Sequence, residues 1–158
     1  MNEAQISRYI TETFEGVDVV LASSNSFFFY NPDSNLPPDH RFPFVTIVTS
    51  DIYDQFSNLN RPSVFRLNIG ISKQTFRSLI GSPSLPSDRD SAAIRGENSS
   101  DYDFTALDQL MPHPVYGRMF WVCVLNPSDK TFETKVRQLL AEAYDLAVSK
   151  YKRQAARR

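Results

Sequence analysis

VFRLNIGISKQTFRSLIG, residues 64–81, decides the fold class, because two periodicities meet inside it. Over 64–71 the side chains alternate: Phe65, Leu67, Ile69 and Ile71 share one face of an extended strand, and Arg66, Asn68 and Gly70 share the other. Ser72 then stands where a helix N-cap belongs, its hydroxyl able to accept from a free backbone N–H. Phe76, Leu79 and Ile80 fall on one side of the helix that follows, and Gly81 ends it. A half-apolar strand running straight into an amphipathic helix is the unit of a sheet with helices laid against it.

Working outward, Pro43 to Thr49 reads as another strand, and VDVVLA followed by Ser23, Ser24, Asn25 and Ser26 and then FFFY reads as a β-hairpin over 17–30. Ile6, Tyr9, Ile10 and Phe14 mark a first amphipathic helix from Glu3 to Phe14, stopped by Gly16. Downstream, FTALDQLM (104–111) is expected to form a short helix closed by Pro112 and Pro114. MFWVCVL (119–125) is apolar on both faces, as a central strand covered on both sides would be. Asn126-Pro127-Ser128 turns the chain into a long last helix whose apolar face carries Phe132, Val136, Leu139, Leu140, Ala143 and Ala147.

Three stretches lack periodicity. NPDSNLPPDHR (31–41) reads as an ordered loop or a short extended excursion, and DIYDQFSNLNRP (51–62) as a polar loop whose Tyr53 and Phe56 should pack down onto the sheet. Residues 82–101, rich in Ser, Pro, Asp and Arg, read as a flexible surface insertion. The whole predicts one α+β domain over 1–158: an antiparallel β-sheet of about five strands, helices packed mainly on one face, and a long C-terminal helix. The other face should be partly open and bear Arg66 and Asn68.

Composition narrows the function classes. The chain has 158 residues, a formal charge of -1, two histidines and one cysteine, so neither a disulfide framework nor a Cys-rich zinc module can be built from it. Its longest strongly apolar stretch is Met119 to Leu125, well short of the roughly 20 residues of a membrane span, and MNEAQISRYI lacks a secretory signal pattern. A soluble cytoplasmic protein without a membrane role is expected. The charge is uneven: Lys150, Lys152, Arg153, Arg157 and Arg158 crowd a basic helical tail at 150–158, leaving 12 basic against 18 acidic residues elsewhere, a charge of -6. Such a body repels a phosphate backbone, so nucleic acid is not an expected partner.

Catalytic signatures are scarce. No G-x-S-x-G, H-E-x-x-H, P-loop or G-x-G-x-x-G occurs, and Cys123, inside an apolar strand, reads as core rather than nucleophile. No catalytic residue, metal site or cofactor is predicted. Asp51, Asp54, Asn58 and Asn60 lack calcium-loop spacing and read as Asx turns. The binding candidates are Arg66 and Asn68 on the polar strand face, Lys73 and Arg77 four apart on the following helix, and His113, Tyr116 and Arg118 in the proline-stiffened MPHPVYGR. An anion at that helix start would meet backbone N–H groups and a cation together. For His113 the simpler alternative is a hydrogen bond to backbone that holds its loop on the sheet. Phe27, Phe28, Phe29, Tyr30, Phe42, Phe44 and Trp121 are either core or the lining of a pocket or interface.

FFFYNPD, RFPFVTIVTSDIYD, LNRPSVFRLNIGISKQTFRSLIG, DFTALDQLMPHPVYGRMFWVCVLNPS and LLAEAYDLA together resemble an uncharacterised family of small bacterial proteins, catalogued as a domain of unknown function. More distantly, WVCV followed by a helix with AYDLA is similar to the YjbR-like double-wing proteins, which implies a frataxin-like α+β fold and DNA binding. The residues themselves favour a non-catalytic interaction module, such as an accessory subunit that binds and stabilises a partner biosynthetic enzyme, with a protein partner or a second copy as its ligand. The alternative is a small-molecule enzyme or ligand-binding protein, taking a small anionic ligand in a pocket around Arg66, Asn68, His113 and Tyr116. A nucleic-acid-binding protein of double-wing type comes third.

Overall fold

The computed structural model describes residues 1–37, 41–81 and 102–157. Helix α1 (Glu3–Thr13) opens on a capping box in which Asn2 and Gln5 satisfy each other's backbone N–H groups. A hairpin of β1 (Val17–Ala22) and β2 (Asn25–Tyr30) follows, then β3 (Val45–Val48), β4 (Arg66–Gly70) and α2 (Lys73–Leu79), whose N-cap is Ser72. The chain continues through β5 (Met111–Pro112), a 3₁₀ turn (Gly117–Met119) and β6 (Trp121–Leu125). Helix α3 spans 129–156, with a short α-helical start (Asp129–Thr131), a π-helical turn (Phe132–Val136) and the long segment Arg137–Ala156.

The strands form one antiparallel sheet in the order β1-β2-β3-β4-β6-β5. Among the described residues six strands stand where about five were expected, because β5 is a two-residue addition beside β6. As the alternation requires, Phe65, Leu67, Ile69 and Ile71 point into the main core, where Ile6 and Ile10 of α1, Phe76 of α2 and Phe132, Val136, Leu140 and Ala143 of α3 meet Val45, Ile47, Val122 and Val124. Among the described residues the three helices therefore cover the same side of the sheet. Among the described residues no helix is long and apolar enough to cross a membrane.

Three expectations change. The second face is not open: residues on 51–64 and 102–112 fold back over it, and Val48, Leu59, Met111, Cys123 and Leu125 make a second, smaller core with Val64, Tyr102 and Phe104 against it. Arg66 and Asn68 are buried there, at 2% and 3% exposure. Tyr53 and Phe56, expected to be that cover, stay half exposed at 56% and 51%, and Ser57 and Leu59 fill the interior position instead. Residues 104–111 form no helix. Asp103 turns the chain by accepting from Thr105, Leu107 makes a single parallel bridge to Leu125, and the Asp108 carboxylate accepts from the Ser128 N–H. The turn and long-range bonds that Asp103 and Asp108 make compete with the helical ladder and take its place. The predicted insertion at 82–101 and His40 lie outside the described residues.

Candidate functional site

The second face concentrates the polar side chains of the sheet. Arg66 lies across β4 with its guanidinium satisfied on three sides: Nε donates to Asn68 Oδ1 at 2.9 Å, Nη1 to Asp54 Oδ1 and Ser57 Oγ at 3.0 Å each, and Nη2 to Asp54 Oδ2 at 2.7 Å. The Asp54 pair is bidentate, the geometry in which a guanidinium fork matches a carboxylate. Asn68, held by Arg66 on its oxygen, donates from Nδ2 to Thr46 Oγ1 on β3 at 2.9 Å. Burial pushes the Asp54 carboxyl up, but the hydrogen bonds and charge of Arg66, aided by the Phe56 N–H, outweigh it and hold the group below the usual carboxylate range.

His113 closes the cluster from the other loop. Its Nδ1 accepts from the backbone N–H groups of Val115 and Tyr116, at 3.0 Å each, which stiffens the turn after β5. The proton of the neutral ring therefore sits on Nε2, an assignment made from these contacts. That Nε2 lies 3.4 Å from Arg66 Nη2, so two N–H donors face each other with no acceptor between them. Burial first, and the Arg66 charge second, push the imidazole down to about 3 against the pull of Asp54, so the ring is neutral at physiological pH. Cys123 stands opposite Asn68 on β6, fully buried, and burial pushes its thiol up to about 12. It has no reactive thiolate at neutral pH.

Of the seven binding candidates, the fold gathers Arg66, Asn68 and His113, with Tyr116 beside them, its ring 5.0 Å from the imidazole and 52% exposed. Arg118 is exposed on the adjacent 3₁₀ turn. Lys73 and Arg77 are exposed on α2, in the opposite layer, and do not join the cluster. The start of α2 already holds a carboxylate of the chain itself: Glu142 of α3 accepts from the Ser72 N–H and the Thr75 hydroxyl. Asp54 and Ser57 as partners of Arg66, and Thr46 as the partner of Asn68, escaped the sequence reading. The signal was an arginine on an alternating strand, which needs a buried carboxylate once its face is covered.

The two loops that Arg66 and His113 tie together carry large apolar side chains outward. Tyr53 and Phe56 flank Asp54 on one, and Val115, Tyr116 and Met119 follow His113 on the other at 45%, 52% and 67% exposure. The family model for DUF6194, described as a family of unknown function, matches residues 1–156. The chain belongs to DUF6194. No curated protein and no solved structure matches it, so the likeness to the YjbR-like double-wing proteins is not shown. In this DUF6194 chain the buried polar cluster, with its rim of exposed aromatic and aliphatic side chains, is thus a site defined by its own geometry. Among the described residues no group of three His, Cys, Asp or Glu side chains gathers as a metal ion would require.

Proposed function

We propose that this DUF6194 chain is a non-catalytic interaction module that takes a protein partner on the loop-covered face of its sheet. The observation that carries the reading is the coupling of Tyr53 and Phe56 to Val115 and Tyr116 through a buried guanidinium, 2% exposed, that bonds one loop and touches the other. Exposed aromatic side chains on loops fixed in advance lose little conformational freedom on binding, which is how interface hot spots arise. The group best placed for acid-base work, His113, is held neutral and faces a cation, which suits positioning better than proton transfer.

The test is co-expression with the products of the genes neighbouring its own and the affinity of any complex formed. The reading expects a stoichiometric complex that a Phe56→Ser/Tyr116→Ser variant, still folded by circular dichroism, binds at least about tenfold more weakly. A complex unaffected by both substitutions, or none with any neighbour, would remove the proposal. The donor pair at His113 favours a second reading, in which a small ligand brings an acceptor oxygen to Nε2–H. Titration with acetate and with inorganic phosphate should then move the His113 ring ¹⁵N resonances of the wild-type protein. Resonances that stay put under both would sink it.

A further inference from the structure

The two edges of the sheet are built differently. One is β5, only two residues long and half proline, so it offers almost no ladder to a further strand. The other is β1, six residues with neither lysine nor proline. Its register with β2, and the hydrogen bond from Asn31 N to Gly16 O at 2.8 Å, give the parity of the ladder: Gly16, Asp18, Val20 and Ala22 bond inward. The backbone N–H and C=O groups of Val17, Val19 and Leu21 therefore face outward, and they take no partner among the described residues. Helix α1 does not cover them. It lies on a face of the sheet, with Ile6 and Ile10 in the main core.

We infer that β1 pairs antiparallel with β1 of a second copy, about a two-fold axis at Val19, joining two sheets into one. The strand is self-complementary in that register alone. Outward-bonding residues meet outward-bonding residues, with Val17 opposite Leu21 of the copy and Val19 opposite itself, each pair exchanging both bonds. On the helix side the facing side chains are all apolar, and they extend the core that Val17 and Val19 already join. On the other side Asp18, held by Asn31 Nδ2 at 2.9 Å, faces Val20 of the copy. An axis at Asp18 would instead set two carboxylates against each other, and one at Val20 would leave Val17 opposite the turn. The pairing also accounts for Leu21, which stands 73% exposed on a hairpin whose other strand is well covered. The edge lies one strand from Phe27, against which Tyr53 of the loop face packs, but neither inference rests on the other.

Sedimentation of the full chain over a concentration series tests it. Wild type should show a monomer–dimer equilibrium. Val19→Pro removes an N–H that bonds nothing within the monomer, and Leu21→Lys places a charge opposite Val17 of the copy. Each should weaken dimerisation about tenfold or more with an unchanged circular dichroism spectrum. Leu21→Lys, at so exposed a position, keeps the test decisive if the proline variant fails to fold. A wild type that stays monomeric throughout overturns the inference. So does a dimer that Leu21→Lys leaves intact, or one lost instead on Phe56→Ser/Tyr116→Ser, which would assign self-association to the loop face.

Discussion

Arg66 bonds Asn68, Asp54 and Ser57 through all three of its guanidinium nitrogens. Its charge is buried at 2% exposure, a position open to arginine only because Asp54, itself 10% exposed, answers it with both oxygens. Removing one member strands the other. Asp54→Ala should cost about 3–5 kcal/mol in urea unfolding, whereas Arg66→Met/Asp54→Leu should recover part of that loss, since no buried charge is then left unpaired although Asn68 and Ser57 lose their donor. If the double variant is as unstable as the single, the ion pair is not what holds the loop. His113 gives a prediction in pH. Its folded value, pushed down to about 3, lies below the ordinary 6.5, so the unfolded chain binds a proton that the folded chain refuses. That contribution to stability is complete above 6.5 and is lost as pH falls toward 3, at about 1.4 kcal/mol per pH unit. Between pH 7.5 and 5 the wild type should thus lose roughly 2 kcal/mol more than His113→Gln, and parallel curves for the two would show that the ring is not buried neutral.

At the scale of elements, the strand and helix of 64–81 were legible because alternation and helical spacing are carried by large apolar side chains with one face to bury. Ser72 could be read as a cap for the same local reason, its hydroxyl accepting from the Thr75 N–H three positions on. What could not be read was residues 104–111, where the apolar spacing suits a helix but Asp103 and Asp108 find turn and cap partners, the second of them twenty residues away. The β1–β2 turn shows a cost the pattern hides. Ser23 and Ser24 both adopt left-handed backbone, at φ of 52° and 66°, as a two-residue hairpin turn of this twist demands. Asparagine and glycine suit those positions better than serine, so Ser23→Asn/Ser24→Gly should raise stability by about 1 kcal/mol, measured as a shift in the urea midpoint at constant m. A neutral or destabilising result would mean that the serines are held by the tertiary fold.

For the whole molecule, the single α+β domain with its helices on one face was within reach of the sequence, and the state of the other face was not. Alternation says that Arg66 and Asn68 lie opposite the core; it cannot say whether water or protein covers them. The answer depended on loop residues with no periodicity, Asp54, Ser57 and His113, which meet Arg66 from 12, 9 and 47 positions away. The candidate site was therefore legible in its strand-borne members and in His113, and illegible in the partners that fix it. A face covered by two short, cross-linked loops with aromatic side chains turned outward is the central claim for function. Amide hydrogen exchange, on the chain alone and in complex with whichever neighbouring-gene product co-purifies with it, tests that claim most directly. The account predicts new protection at residues 51–57 and 113–119; protection confined to α2, α3 or β1, with those loops unchanged, would contradict it.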